Sequence, residues 1–466
     1  MKQFLLVLLC ATGCALAQAS AQKSAPVPGQ PTTTVPNTPP PWREILGPPL
    51  GVWLPPADGP VVWRTNLLEA CFDARRENRP LLITVRCPPG KQCADFDKAV
   101  LEGGPDLDPL LLQFITVRLT DAAQLDLNML PVDGFQDLDL SWWGWLLSPQ
   151  GQVYSIFGGR DHVSDTTRIS KAALLATLQR VLAYHHDPRR AEWRLEGPEA
   201  NPAEAFTLLH LPGFRSWDAR RNPAERAQTC IHCHQINNFL RQPALNAKLF
   251  NKLRHVEVWP LPENAGLTLD RDHGLLVRSV QPNGPAAKAG VRPGDILGAA
   301  GGRRLFGQAD FRGVLQRSPL DECEHELWWL RDGLPMSGKL SLGPRWRGTV
   351  LDWRVSLSQG NIGAGPGFFP GASVTEVRRR ELGIAPDQMA VAPYWGGSTN
   401  SLCFQAGLRE TDVITAVNGQ SPNLNGRAFL IWFRQRYDPG ERVTLTVRDR
   451  PGPERKISYQ LLGGEY

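Results

Sequence analysis

Gly284-Pro285-Ala286-Ala287-Lys288-Ala289-Gly290-Val291, followed by Pro293-Gly294-Asp295-Ile296-Leu297, is the stretch from which the organisation of this chain is read. It lies inside a repeat. Ahead of it stand Ala265-Gly266-Leu267-Thr268-Leu269 and Gly274-Leu275-Leu276-Val277-Arg278-Ser279-Val280. A similar order returns as Glu381-Leu382-Gly383-Ile384, Gln405-Ala406-Gly407-Leu408, Asp412-Val413-Ile414 and Val417-Asn418-Gly419. Self-similarity of this kind marks a repeated unit. The copies are assigned to 260–343 and 344–466. The second is the looser match, because Tyr394 to Leu402 stands where the first has its short Gly-Pro-Ala turn.

Upstream lies Cys230-Ile231-His232-Cys233-His234. A Cys-x-x-Cys-His run is the attachment signature of c-type haem. On a helix the two sulfurs share a face and can each form a thioether, while the next imidazole reaches the iron as proximal ligand. A disulfide beside an idle histidine, or half of a zinc site, are the other readings. Zinc wants further ligands at similar spacing, and no second Cys-x-x-Cys or His-x-x-x-His occurs. Haem c, held covalently by Cys230 and Cys233 with His234 on the iron, is the working expectation. No methionine falls between Met129 and Met336, so His255 and His210 are the local candidates for a distal ligand.

Met1-Lys2-Gln3, the apolar run Phe4 to Leu9 and the close on Ala15-Leu16-Ala17 read as a secretory signal peptide, 1–17, too short to span a membrane. The expected location is the periplasm or another extracytoplasmic compartment. Loss of Lys2 with the signal lowers the net charge from +5 to +4, and no basic stripe suggests nucleic acid. Of the nine cysteines, Cys10 and Cys14 leave with the signal, and the seven that remain make a poor disulfide framework. Cys87 and Cys93 are the expected pair outside the haem motif. Residues 18–52, rich in Pro, Thr, Ala and Gln, read as a disordered tether with polyproline character.

A first folded domain is expected over 53–186. Thr65 is placed as the cap of a helix with Leu67, Leu68, Cys71 and Ala74 on its apolar face. Strands are expected at Leu81–Val85, Phe114–Leu119, Trp145–Leu147 and Val153–Phe157, a helix beginning near Cys93, and a last helix opened by Ser170. Residues 187–259 are read as a small haem-binding segment, cut into short pieces by Pro202, Pro212, Pro223 and Pro243, whose core would come from the porphyrin.

Two resemblances add to this reading. The β-α-β, β-β-α order, with a cysteine opening the second helix and Glu77-Asn78-Arg79-Pro80-Leu81-Leu82 before it, resembles the thioredoxin fold. That resemblance implies thiol–disulfide chemistry, here at Cys87-Pro88-Pro89-Gly90-Lys91-Gln92-Cys93 instead of a Cys-x-x-Cys, with Trp142 near the place of the family's cis-proline. Cys93, at a helix start, is expected to carry the more acidic thiol. The repeat at 260–343 resembles the HtrA-type PDZ domain. The resemblance implies that amides around Gly266, Leu267, Thr268 and Leu269 receive a peptide carboxylate while the peptide adds to an edge strand. Such PDZ domains often follow a trypsin-like protease, but no Gly-Asn/Asp-Ser-Gly-Gly nucleophile motif is present, so a serine protease is not expected.

Together these features resemble an exported bacterial thioredoxin-like/PDZ fusion family, some of whose members carry selenocysteine in the redox loop. The expected fold is multidomain α/β plus β: a thioredoxin-like domain, a small helical haem segment and two PDZ domains. The expected function is a redox protein that couples covalent haem to the Cys87/Cys93 pair and recruits a protein partner by its C-terminus or an internal peptide. Two alternatives stand beside it. One is a thiol–disulfide oxidoreductase without haem, with Cys230/Cys233 as a second dithiol; the other is a non-enzymatic PDZ scaffold.

Overall fold

A computed structural model describes residues 40–47, 59–85, 91–101, 104–132, 136–139, 142–159, 170–193, 195, 206–219, 221–222, 231, 233–348, 354–358, 364–395, 400–424 and 426–461. The expected signal peptide, most of the tether, Cys87 and Cys230 lie outside the described residues.

The first domain is built on a four-stranded sheet in the order β2-β1-β3-β4, with β1 Leu81–Val85, β2 Ile115–Leu119, β3 Trp142–Leu147 and β4 Val153–Gly159. β1 and β2 are parallel; β3 runs antiparallel to β1, and β4 to β3. Arg64 adds a single parallel bridge on the far side of β2. Side chains alternate between the faces of a strand. Leu81, Ile83, Val117, Trp143 and Trp145 thus fall in one core cluster and Leu82, Trp142 and Leu146 in another, which Phe157 and, across a register shift in β4, Tyr154 join. Both faces are covered. Helix α1, Trp42–Ile45, and the Lys171–His185 helix lie on the second, while α2, Leu67–Glu77, covers the first with Ala70 and Ala74.

Two local expectations hold in changed form. Asn66, not Thr65, caps α2, its Oδ1 accepting from Leu68 N (3.0 Å) and Glu69 N (3.2 Å). Ser170 does cap the Lys171–His185 helix, accepting from Ala173 N at 3.0 Å. The tether is shorter than its expected end at 52, because Trp42 and Ile45 are buried in the domain's core. Their two apolar side chains override the proline-rich composition around them.

The described residues of 187–259 pack against the first domain. Helix α3, Lys91–Phe96, and α4, Asp108–Leu111, precede β2; α5 is Lys171–His185, α6 Arg190–Trp193, α7 Pro212–Ala219 and α8 Cys233–Asn246. Trp193 packs in the core beside Tyr184, with ring centroids 5.8 Å apart. Leu208, Leu211, Ile236, Phe239, Val258 and Trp259 join the α2 face of the sheet. The first domain's sheet gives these residues an apolar core. Pro243 does not break the helix, as α8 runs through it. At its crossing with α7 the backbones touch, and a Cβ on Gly213 would sit 2.4 Å from Phe239 O.

The two C-terminal modules have similar, not identical, element orders. The first has β5 Leu267–Leu269, β6 Val277–Val280, α10 Pro285–Ala289, β7 Ile296–Ala300, β8 Arg303–Arg304, α11 Gln308–Arg317, β9 Cys323–Arg331 and β10 Leu334–Leu342 (α9, Lys252–His255, precedes it). After α12, Val355–Ser358, the second has β11 Phe369–Pro370, α13 Glu376–Glu381, β12 Pro393–Tyr394, α14 Leu402–Gln405, β13 Val413–Val417, α15 Gly426–Arg436, β14 Arg442–Arg448 and β15 Arg455–Gln460. The turns before β7 and β13 share one carboxylate–amide contact, and each carboxylate also pairs with an arginine of a later strand. Asp295 Oδ2 accepts from Arg292 N (2.7 Å) and pairs with Arg331; Asp412 Oδ2 accepts from Arg409 N (2.8 Å) and pairs with Arg455.

The boundary at 343/344 is also displaced. Trp346 packs in the first module's core, and buried Arg347 donates to Leu315 O (3.1 Å) and Ser318 O (3.3 Å) at the end of α11. Cationic groups at a helix C-terminus satisfy its unpaired carbonyls.

Candidate functional site

Gly266 holds a φ of +77°, which glycine adopts without strain, and turns a short 3-10 stretch, Pro262–Ala265, into β5. Asn264 anchors the loop: its Oδ1 accepts from Leu261 N (3.0 Å), and its Nδ2 donates to Trp346 O (2.7 Å) and Gly348 O (2.8 Å). Gln281 N donates to Gly266 O at 2.8 Å, which makes these two a bonded pair of the β5–β6 ladder. In antiparallel pairing bonded and non-bonded positions alternate, so Leu267, opposite Val280, turns its N–H and C=O to the other edge. Among the described residues β5 pairs with β6 alone.

The expected carboxylate-receiving amides are therefore not equivalent. Gly266 N–H donates to Glu263 O at 3.0 Å and is already engaged. Leu267 is the position whose amide faces the edge to which a strand can add. The Leu267 and Leu269 side chains are buried in the module's core with Phe311 and Leu315 of α11, and Thr268 is half-buried. Helix α11 flanks β5: its start lies by the turn after the strand, where a Cβ on Gly274 would be 3.7 Å from Gln308 N.

The second module has a counterpart that sequence reading missed. Gly367, at φ +78°, precedes Phe368 and β11, as Gly266 precedes β5. Trp395 Nε1 donates to Gly367 O (3.0 Å), and Tyr459 Oη donates to Pro366 O (2.6 Å). Phe368 is buried against Phe429, while Phe369 and its strand partner Tyr394 are exposed. The signal was present as Gly367-Phe368-Phe369-Pro370. Glu381-Leu382-Gly383-Ile384 instead ends α13, with Gly383 at φ +65°.

Cys93 stands in the first turn of α3, which starts at Lys91; Cys87, its expected partner, is outside the described residues. Trp142, at the start of β3, packs on Phe96 of that helix with ring centroids 4.3 Å apart. The structure thus brings Trp142 to the helix that carries Cys93.

Cys233 and His234 are the first two residues of α8. The donor set, two thiols three positions apart and an imidazole next to the second, fits a c-type haem, and a helix does begin there. Both distal candidates are engaged locally. His255 Nδ1 accepts from Asn251 N (2.9 Å) with its ring stacked on Phe250, and burial pushes its pKa down. His210 Nδ1 accepts from Thr207 N (3.0 Å) with its ring stacked on Phe206.

One cluster was not anticipated. Asp137 accepts from Arg312 Nη2 (2.8 Å) and from Arg354 Nη1 and Nη2 (2.7 and 3.0 Å). Asp139 accepts from Ser356 N (2.8 Å) and Asn237 Nδ2 (3.1 Å), and Arg241 donates to Ser356 Oγ (2.9 Å). Burial works against the Asp137 charge, but Arg354 and Arg312 outweigh it and hold the carboxyl below its ordinary value. These side chains join the first domain, α8, the first module and α12 in one buried network.

With this geometry in place, comparison with known proteins bears on the repeats. A PDZ domain family profile matches residues 276–329. A probable periplasmic serine endoprotease DegP-like of Marinomonas sp. (strain MWYL1) is 27% identical over 160 residues, covering 34% of this chain and 31% of that relative. The HtrA-type protease AlgWS227A with tripeptide, a solved structure, shares 19% identity over 28% of this chain and 42% of its own, at a TM-score of 0.18. The chain spans about a third of the length of the curated relative it matches. The first C-terminal module contains a PDZ domain within a mixed α/β chain of several sheets. Among the described residues no helix is long and apolar enough to cross a membrane.

Proposed function

We propose that the chain is an exported protein-recruiting scaffold whose PDZ modules hold peptide C-termini. The observation that carries this is the Gly266 turn feeding an edge strand whose Leu267 amide faces outward beside α11, within a module that contains the matched PDZ segment. A peptide strand adds there by main-chain hydrogen bonds, and an apolar last residue enters the core side. The test is binding of labelled peptides with an apolar last residue, as free acid and as amide. Amidation should remove most of the affinity; equal binding of the two forms would show that no carboxylate site exists. The module over 344–466 is read as a second PDZ-like domain on its similar element order and its glycine turn before β11. A periplasmic location is the reading that the signal-like N-terminus and the DegP-like relative support.

A second reading adds redox chemistry. It rests on the β2-β1-β3-β4 order with a helix carrying Cys93 directly after β1, the arrangement expected of a thioredoxin-like domain. Cys87 and Cys93 are its thiol pair, or Cys230 and Cys233 a second dithiol. Where haem is attached, Cys230 and Cys233 hold it and His234 ligates its iron. Bound haem supplies one-electron chemistry. Protein exported from a host with haem-attachment machinery should show a Soret band and a haem stain that survives denaturing electrophoresis. Both should be lost in Cys230→Ala or Cys233→Ala, and a folded preparation with neither signal rejects the haem.

A further inference from the structure

The PDZ helix α11 is enclosed over most of its length, with only its last residue, Arg317, exposed. Phe311, Val314 and Leu315 face the module's own core. At 100° per residue, Asp310, Gly313 and Arg317 form a second stripe and Ala309, Arg312 and Gln316 a third. Asp310 and Gly313 of the second stripe lie on strand β4 of the first domain. Asp310 accepts there from Ser155 Oγ (2.8 Å) and Ile156 N (3.0 Å), besides Phe306 N (2.8 Å) and Gly307 N (2.9 Å) of its own helix start. A Cβ on Gly313 would stand 3.5 Å from Ile156 Cδ1. On the third stripe, Arg312 donates to Asp137 Oδ2 (2.8 Å) and Trp259 O (3.0 Å), and Gln316 Oε1 accepts from Trp259 N (2.6 Å). From Gln308 to Leu315 every residue is buried except half-buried Ala309.

Further contacts hold the module in this position. Arg180 of α5 donates to Phe306 O (2.9 Å) and His273 O (3.0 Å), and Leu46 beside α1 fills the space above Gly298 of β7. A peptide added to β5 lies in the trough between that strand and α11, so it needs one flank of the helix open. Both flanks outside the core are occupied by the first domain or by the residue 259 backbone.

We propose that the first PDZ module is latched. Docking of α11 on β4 and Asp137 shuts its peptide groove, and a peptide enters only when the helix comes off the first domain. The inference rests on the peptide-binding reading and adds a condition to it. Docking and binding compete, so apparent affinity falls by the fraction of molecules that are docked, and bound peptide in turn favours undocking.

Three forms of the full chain test this: native, a release variant (Ser155→Ala with Asp137→Asn), and a lock in which Ile156→Cys and Gly313→Cys are oxidised to a disulfide. Peptide affinity is read by fluorescence anisotropy with a labelled peptide whose last residue is apolar. The site is read by amide-exchange protection at Leu267–Leu269. The release variant should bind about tenfold or more tightly than native, within the usual span of coupling between sites. The oxidised lock should bind no peptide at β5, and reduction should restore the native affinity. If native and locked chains bind as tightly as the released one, with protection at β5, the latch is wrong while peptide binding stands. If no form, the released one included, gains protection at β5, the peptide-binding reading of this module falls, and the latch with it.

Discussion

Asp137 and Arg354 are 217 positions apart in the chain, yet they meet through two hydrogen bonds of 2.7 and 3.0 Å with both side chains buried. The pair ties the first domain to the connecting segment, and Arg312, which shares Asp137, ties the first C-terminal module to both. Removing one partner of a buried ion pair leaves the other charge uncompensated, at about 3–5 kcal/mol. Asp137→Asn should therefore lower stability by about that amount in chemical denaturation. It should also split one cooperative transition into separate ones, followed by tryptophan fluorescence.

The same pair sets an acid limit. Asp137 is held below its unfolded value, so its contribution is whole above about pH 4 and is lost as pH falls through the lower folded value. The native chain should lose stability in that acid range, and Asp137→Asn should flatten this part of the profile.

His185 gives a second, separate slope. Its Nε2–H donates to Asn78 O (2.9 Å), Tyr154 Oη donates to its Nδ1 (3.1 Å), and burial pushes its pKa from 6.5 to about 4. The unfolded chain takes up this proton first. Stability is thus complete above about pH 6.5 and drains by up to about 3 kcal/mol as pH falls toward the folded value. Thermal unfolding of His185→Gln between these limits should show a smaller pH dependence than the native protein.

Gly213 tests the crossing of α7 and α8. An added Cβ would meet Phe239 O at 2.4 Å and Phe239 Cα at 2.6 Å, both backbone atoms that yield only if a helix moves. Gly213→Ala should cost about 1–3 kcal/mol or more, the range of overpacking. Gly343→Ala, with nothing within 4 Å of its Cβ position, should change stability by less than about 0.5 kcal/mol. Circular-dichroism melts of the two variants compare them directly.

Asp295 and Asp412 test the repeat. Each buried carboxylate holds a backbone amide three residues before it and an arginine from a later strand. Asp295→Ala and Asp412→Ala should each cost about 2–3 kcal/mol, the scale of hydrogen bonds to a charged group. Amide exchange should rise mainly in the module that carries the substitution.

Local pattern and turn chemistry are legible in the sequence. Leu81–Val85 reads as a buried strand and forms one, because five apolar or β-branched residues between turn signals have no other stable place. Ser170 reads as a cap, and Gly266 as the turn of the first repeat, because a hydroxyl accepting a free helix amide and a positive φ are demands met within a few residues. The second repeat's turn at Gly367 was missed because its flanking aromatics and the insertion at Tyr394 hide the short pattern.

Apart from the PDZ character, which entered as a resemblance, what the sequence by itself determined is several elements of the first domain and a repeat in the C-terminal half. Those follow from periodicity, glycine positions and caps, all of them local. Only the tertiary structure decided that Trp42 and Ile45 belong to the core, that 187–259 shares the first domain's sheet, and that Asp310 and Arg312 face another domain. A charged residue on a helix reads from sequence as a solvated face. Its burial depends on a counter-charge such as Asp137, which arrives from 175 residues away and leaves no trace in the local pattern.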